Sequence, residues 1–580
     1  SDDGGYVAAM TALLILPLMV FTAFAVDMGS WFGEATRLQR TADAASLAGV
    51  PFMPTFDSTV VGKPGAKQIA IETAKKNGYT NVDVFQKGAN RIQVSINTTA
   101  PSFFAKAIGY NSQSLTRSAI AEFLNTIQMG SPEQYSGNDP DLDLTPNFWH
   151  NTAAYSTSKT TGDRYASGQC GGSSFGCNNT ANSEFDPYGY IFNVTMPASV
   201  SGPIDIQVFD PATVNVGDQC GNSAPDDTQF ATLQAQYNNN SAIRPSSDPN
   251  FSNFADRYKK GAYAANRWCS GDWVIGSNNT NSTDDSTKTT YIVREPDLTP
   301  LDALDNNPVC GISFDSYPAK GVLNNNIFNL LDRSNSANLA NRGTERAPFW
   351  KHFRNWFSIC RITNPIPGKT YIVQVSNNLS PISSPVTTAS SVDLSMQTVV
   401  QTASVHNRYS MRAVNPSNPS ANTGITVSSD TRFPIYTNTA ANTNVDFYLA
   451  RITPEYAGKT VKLSLWDIGD ISGGGVMSMT IVPPADATNK PTTCTWGYNG
   501  GVNNTPGSIT TNGCYATGFS GGPSNGSLYT ANVDIPSNYT CDGTDPTKCW
   551  FHILINTTSS AQDTTTWSAT VVGNPVHLVN

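Results

Sequence analysis

From Tyr6 to Val26 every residue is apolar except Thr11 and Thr22. A threonine hydroxyl bonds back to its own helix, so neither interrupts the run. At about 1.5 Å per residue, a helix of this length crosses a bilayer core of roughly 30 Å. Beyond residue 50 the sequence reads as a soluble body, so the chain has one greasy handle and one large polar part. No Lys or Arg precedes Arg37, and Asp2 and Asp3 are the only side-chain charges ahead of the run. Signal sequences and anchors normally carry a basic flank. Its absence here predicts a basic leader removed ahead of Ser1, with the hydrophobic helix retained on the mature chain. A bitopic anchor whose sequence begins late stays open as the alternative.

The helical pattern continues past membrane length. Trp31, Ala35, Leu38, Ala42, Ala45 and Gly49 recur at spacings of three and four, with Glu34, Arg37, Arg40 and Asp43 off that seam. Gly49 and Pro51 supply a stop. The expectation is one helix from about Tyr6 to Ala48, on the order of 65 Å long, with a kink at Pro17. Gly29 and Gly33 form a small-xxx-small pair of the kind that lets helix backbones approach closely. The residues assigned to helix packing and assembly are Leu13, Leu16, Pro17, Val20, Phe24, Gly29, Gly33, Leu38, Ala42 and Ala45. Packing between copies is expected for residues 6–33. For residues 34–49, packing on the chain's own next domain stays open.

Three strings then carry a resemblance: Gly5-Tyr-Val-Ala before the apolar run, Ala25-Val-Asp-Met-Gly29, and Leu38-Gln-Arg-Thr-Ala-Asp-Ala-Ala-Ser-Leu-Ala-Gly49. Together they resemble the amino-terminal segment of TadG-like and TadE-like proteins of the Tad (Flp) pilus-assembly group, relatives of type IV pilins. The likeness is close over the first fifty residues and looser to about residue 125. It implies a subunit held in the inner membrane before assembly and polymerised with copies of itself through its amino-terminal helices. The implied location is a cell-surface or extracellular filament. One position departs from the pattern: pilins carry Glu at the fifth mature position, and Gly5 stands here, leaving Asp2 or Asp3 to neutralise a buried amino terminus.

The rest of the chain suits an exported protein. Charged residues are 14%, against roughly 25% in an average soluble chain, and Asn, Thr, Ser and Gly take their place. A net charge of −9 without any Lys/Arg-rich run argues against a nucleic-acid partner. The ten cysteines all follow residue 160, and no pair has the CxxC spacing of a zinc or redox site. Five disulfides are expected, with neighbours paired: Cys170–Cys177, Cys220–Cys269, Cys310–Cys360, Cys494–Cys514 and Cys541–Cys549.

The fold class expected is α+β and multidomain. A long pilin-like helix (1–50) leads into a small α/β domain (51–125), then two disulfide-stapled β-sandwich domains (126–410 and 411–580). In the small domain, Pro64–Lys76 and Pro101–Ile108 read as helices, and Asn81–Phe85, Arg91–Ile96 and Ser114–Phe123 as strands. Beyond it, Phe192-Asn-Val-Thr-Met-Pro followed by Ile206-Gln-Val-Phe-Asp parallels Leu449-Ala-Arg-Ile-Thr-Pro followed by Leu463-Ser-Leu-Trp-Asp. This suggests two related sandwiches. Pro211 to about Pro367 reads as an insertion in the first, with short helices at Gln229–Tyr237 and Asn325–Leu331.

Signals for catalysis are weak. His150, His352, His406, His552 and His577 are far apart in sequence, and no HExxH, GxSxG or P-loop occurs. No enzyme, metal or cofactor is expected. Asp139, Asp141 and Asp143 have a calcium-like spacing, but Leu144 and His150 stand where an EF-hand needs Gly and Glu; a solvated acidic linker is expected instead. Asp210, Asp467 and Asp470 read as turn residues. Trp268, Trp273 and Trp496 are read as exposed rings suited to stacking on sugars or to packing against disulfides. Two functions follow: a pilus-like structural subunit displaying β domains for adhesion to a host or surface ligand, or a monomeric membrane-anchored adhesin or assembly accessory.

Overall fold

The computed structural model describes residues 3–53, 55–58, 64–88, 90–124, 126–141, 148–155, 157–171, 180–213, 257, 267–275, 288–296, 306–315, 352–377, 404–418, 424–499, 509–524, 526–573 and 576–579. The fold is α+β: one very long helix and a small domain, then two large sheets. The described chain forms two units. Among the described residues, the first takes in those up to 124 together with 573 and 576–579, and the second those from 126 to 572.

In the first unit, α1 (Asp3–Gly49) runs unbroken through Pro17, on the order of 70 Å at the usual rise. Its last four turns pack on α2 (Ala66–Lys76) and on a sheet of β1 (Val82–Gly88), β2 (Arg91–Pro101) and β3 (Ser112–Phe123). Small residues make this possible. Ala42 and Ala45 of α1 and Ala66, Ala70 and Ala74 of α2 are fully buried. At Gly49 even a methyl group would lie 2.6 Å from the Ala66 carbonyl and 2.9 Å from Ile92. Ile92, Val94 and Ile96 alternate along β2 to face the helices.

The fourth strand of this sheet comes from the far end of the chain. Val576–Val579 (β28) pairs antiparallel with β3, giving the order β1-β2-β3-β28. Glu122 anchors it: its carboxylate takes Arg91 at 2.7 Å and the His577 ring at 3.2 Å. The small domain is therefore discontinuous, and the whole β body is inserted between two neighbouring strands of one sheet.

The second unit opens with β4 (Gln128–Met129), β5 (Tyr135–Ser136) and β6 (Trp149–Ala153), and a ribbon of β7 (Gln169–Cys170) and β8 (Thr180–Ala181). Then come β9 (Tyr190–Thr195), β10 (Ile204–Phe209), β11 (Trp273–Ile275), β12 (Lys288–Arg294), β13 (Pro308–Asp315), β14 (Trp356–Ile362), β15 (Thr370–Ser376), β16 (Ser404–Val414) and β17 (Thr426–Asp430). Next are β18 (Arg432–Thr439), β19 (Thr443–Arg451), β20 (Thr460–Trp466), β21 (Met477–Val482), β22 (Cys494–Asn499), β23 (Thr510–Asn512) and β24 (Tyr515–Phe519). β25 (Leu528–Asp534), β26 (Trp550–Thr557) and β27 (Ala561–Val571) complete it. Two 11-stranded sheets result. One has the path β14-β10-β16-β6-β18-β27-β20-β25-β22, with β5 and β11 against β16. The other runs β13-β12-β15-β9-β17-β4-β19-β26-β21-β24-β23.

The repeat seen in the sequence is a repeat of topology. β9, β10, β12, β13, β14, β15 and β16 recur in the same chain order and at matching sheet positions as β19, β20, β21, β24, β25, β26 and β27. In both, the first strand lies in one sheet and the second in the other. In both, the second strand ends on a buried Asp with positive φ, Asp210 at 55° and Asp467 at 64°. The halves share both sheets. β4 bridges β17 to β19, and β6 bridges β16 to β18. The boundary expected at residue 410 thus falls inside β16. The expected insertion also contains β12, β13 and β14, which are integral strands; Gln229–Tyr237 and Asn325–Leu331 lie outside the described residues.

Between the sheets, Phe192, Val194, Ile206, Val208, Tyr291 and Met411 belong to one apolar cluster. Phe447 meets Phe433 and Trp567 across the other half, at 6.3 and 6.0 Å between ring centres. A sandwich this long has two open ends, and a disulfide joins the sheets at each. Cys310 on β13 bonds Cys360 on β14, and Cys494 on β22 bonds Cys514 beside β24. Cys541–Cys549 closes the loop before β26. These three pairs are as expected. Cys170 and Cys269 are also disulfide-bonded, while Cys177 and Cys220 lie outside the described residues.

Candidate membrane and assembly surface

The two halves of α1 have different surroundings. Thr11 and Thr22 donate to the carbonyls four residues back, at 2.7 and 2.8 Å, so neither threonine presents a free hydroxyl. Leu13, Val20 and Phe24 are 72%, 66% and 52% exposed. Pro17 is exposed, and a methyl group added at Gly29 or Gly33 would meet nothing within 4 Å. The Leu16 side chain lies outside the described set. By contrast, Leu38, Ala42 and Ala45 are fully buried in the small domain's own core. They are not available to a second copy, and the intramolecular alternative holds for that half. Burying Leu38 contributes about 2 kcal/mol.

Asp27 marks the join. Its carboxylate is fully buried and accepts the backbone N–H groups of Phe103 at 2.6 Å, Phe104 at 3.1 Å and Ala105 at 2.6 Å. These donors open the 3-10 turn Ala105–Ile108, where a helical end leaves N–H groups unpaired. Asp27 thus clamps the turn to the helix. One helical turn beyond it, Trp31 packs against Tyr110 with ring centres 5.7 Å apart. Glu34 takes the Tyr79 hydroxyl at 2.8 Å, and Arg37 lies over that ring. Burial, with the Glu34 carboxylate, pushes the Tyr79 hydroxyl up to about 12.

Below Asp27, the turn and the apolar half of α1 enclose an open groove of about 610 Å³. Leu18, Phe24 and Val26 form one wall, and Phe104, Ala107 and Ile108 the other. Sequence reasoning assigned Pro101–Ile108 only as a short helix. The available signal was the Phe-Phe-Ala-Lys-Ala-Ile string, apolar apart from one lysine.

Elsewhere, the residues weighed for chemistry have structural partners. Asp139 is buried and holds Arg412 at 2.8 Å and the Trp356 indole at 3.1 Å. Asp141 takes Arg257 at 2.6 Å and the Trp268 indole at 3.0 Å. This pairing replaces the expected solvated linker; Asp143 lies outside the described residues. Trp268 is buried rather than exposed, under Arg267 at 4.5 Å. Trp496 is half-buried and donates to the Gly513 carbonyl beside the Cys494–Cys514 bond. Asp486 comes together with Cys541 and Cys549, but those sulfurs are bonded to each other and are not metal ligands.

Asp467, Asp470 and Asp563 are more unusual. Asp563 accepts the N–H groups of Gly469 and Asp470 at 2.9 and 2.8 Å. Burial, then the charge of Asp563, pushes the Asp470 carboxyl up to about 7. Burial also raises Asp467 and Asp563. His150 sits among Phe148 and Phe192 with Nε2 2.9 Å from Ser136 Oγ, and burial drops it to about 3.

Residues 5–50 match the Tad family, described as Flp pilus-assembly TadE/G-like. The likeness to that family is confined to the amino-terminal segment. This segment contains the exposed apolar half of α1, Asp27 and the buried seam, and it ends where Gly49 meets α2. No curated protein and no solved structure matches the chain.

Proposed function

We propose that the chain is a structural subunit of a Tad-type pilus-like filament, with its β domains displayed outward. The carrying observation is the contrast within α1. One half is consumed by the chain's own core, while Leu13, Val20, Phe24, Gly29 and Gly33 present an apolar, small-residue surface left exposed among the described residues. Exposed apolar patches of this extent mark an interaction or membrane surface. In this reading the helix lies in the inner membrane until assembly and then packs on copies of itself; the role is structural and not catalytic. The outward β domains meet a host or surface ligand.

A membrane-anchored monomer is the second reading, because the apolar run alone has bilayer length. Val20→Asp and Ala25→Asp distinguish them. Electron microscopy of material sheared from the producing cell should show filaments for the parent and none for either variant, with the body still folded. Filaments that persist in both variants overturn the proposal.

A further inference from the structure

The groove beside α1 is lined by a turn placed alongside the apolar run. Val26 is the last apolar residue before Asp27, and Leu18 lies eight residues earlier, about 12 Å down the axis. Phe104 and Ile108 share the groove with this stretch, so the turn's side chains lie level with the end of the span. Its outer surface is strongly apolar: Phe103 is 63%, Phe104 53% and Ile108 85% exposed. Facing water, such a surface is costly; among acyl chains it is favourable.

Irregular backbone enters an apolar layer only where its polar groups are satisfied. Here Asp27 accepts the donors of Phe103, Phe104 and Ala105. Those of Ala107, Gly109 and Tyr110 go to carbonyls within the turn, at 3.0–3.1 Å. The flanking residues suit a membrane–water boundary. Lys106 is exposed on a stem long enough to reach headgroups, and the Trp31–Tyr110 pair lies where aromatic belts form.

We propose that Phe103, Phe104 and Ile108 form a second, interfacial anchor, immersed in the bilayer leaflet nearest the small domain while α1 spans the membrane. The groove is then filled by acyl chains. The inference rests on α1 being membrane-inserted before assembly.

The test uses the full chain in vesicles of phosphatidylethanolamine and phosphatidylglycerol, at a dilution of one copy per vesicle. A photoreactive benzoylphenylalanine replaces Val20, Phe104, Ile108 or, on the opposite face of the small sheet, Phe85. Mass spectrometry reads the adducts. Phospholipid adducts are expected at 20, 104 and 108, and their loss at 85. Adducts at 20 with none at 104 and 108 overturn the inference while leaving the membrane reading of α1 intact. In a parallel preparation with several copies per vesicle, intermolecular protein–protein adducts at 104 and 108 in place of the lipid adducts overturn it in favour of a second copy. No lipid adduct at 20 removes both readings together.

Discussion

The two units of this chain are stabilised by different means. The amino-terminal unit has no cysteine and relies on small residues at close helix contacts, with a sheet completed by the last residues of the chain. The inserted β unit fuses two topological repeats into shared sheets and joins those sheets covalently at each end. The contrast follows from shape. A helix on a four-stranded sheet closes its core by approach, which alanine and glycine permit. A long open sandwich exposes end strands, which need cover or crosslinks.

Removing the staples should have the largest effect, and on one unit only. Breaking Cys310–Cys360 frees a segment with a sequence separation of 50, and breaking Cys494–Cys514 one of 20. Chain entropy puts the losses at about 4 and about 3 kcal/mol respectively. Differential scanning calorimetry of Cys310→Ser/Cys360→Ser and Cys494→Ser/Cys514→Ser should lower the β unit's transition in that order and leave the amino-terminal transition in place. A common shift of both transitions breaks the comparison.

The reverse experiment is made within α1. Gly49→Ala puts a methyl group against the Ala66 carbonyl at 2.6 Å, and should cost the amino-terminal unit about 2 kcal/mol. Gly33→Ala, in the same helix but in open space, should leave that unit unchanged or raise it by up to about 1 kcal/mol. Chemical denaturation followed by circular dichroism at a helix-sensitive wavelength reads both. Equal losses would mean that the two halves of α1 are not differently employed.

Much of this was legible in local sequence. The apolar run, α2, β1–β3 and the paired strands β9/β10 and β19/β20 each carry their own periodicity and stop signals. Neighbour pairing of cysteines was right for three bridges because those cysteines lie on end strands or a short loop. What was hidden is nonlocal. β28 is four residues long and becomes a strand only against β3. β4 has two residues, yet it joins the halves of a sheet. Asp27 was visible as part of a motif, but its three donors lie more than seventy residues away. Asp139 and Asp141 were read as solvated because their arginine and tryptophan partners are also distant in sequence.

The smallest expected effect concerns charge, and it too separates the units. Asp470 is shifted from 3.8 to about 7 by burial and by Asp563. A carboxyl whose pKa is raised on folding adds stability below its unfolded pKa, and that stability is lost as pH rises through the folded value. The parent β unit should therefore lose this contribution between about pH 4 and pH 7. Asp470→Asn has no proton to lose. Its carboxamide must still be desolvated, so the net gain above pH 7 should be modest, about 1 kcal/mol. Near pH 4, where the parent carboxyl is protonated in the folded state, that desolvation is not offset and the variant should be the less stable of the two. A melting series across that range should show the variant's advantage growing with pH in the β unit's transition alone. An advantage of the same size at both ends of the range would mean that the carboxyl does not carry the shift. A pH-dependent advantage in the amino-terminal transition would mean that the two units do not unfold as separate bodies.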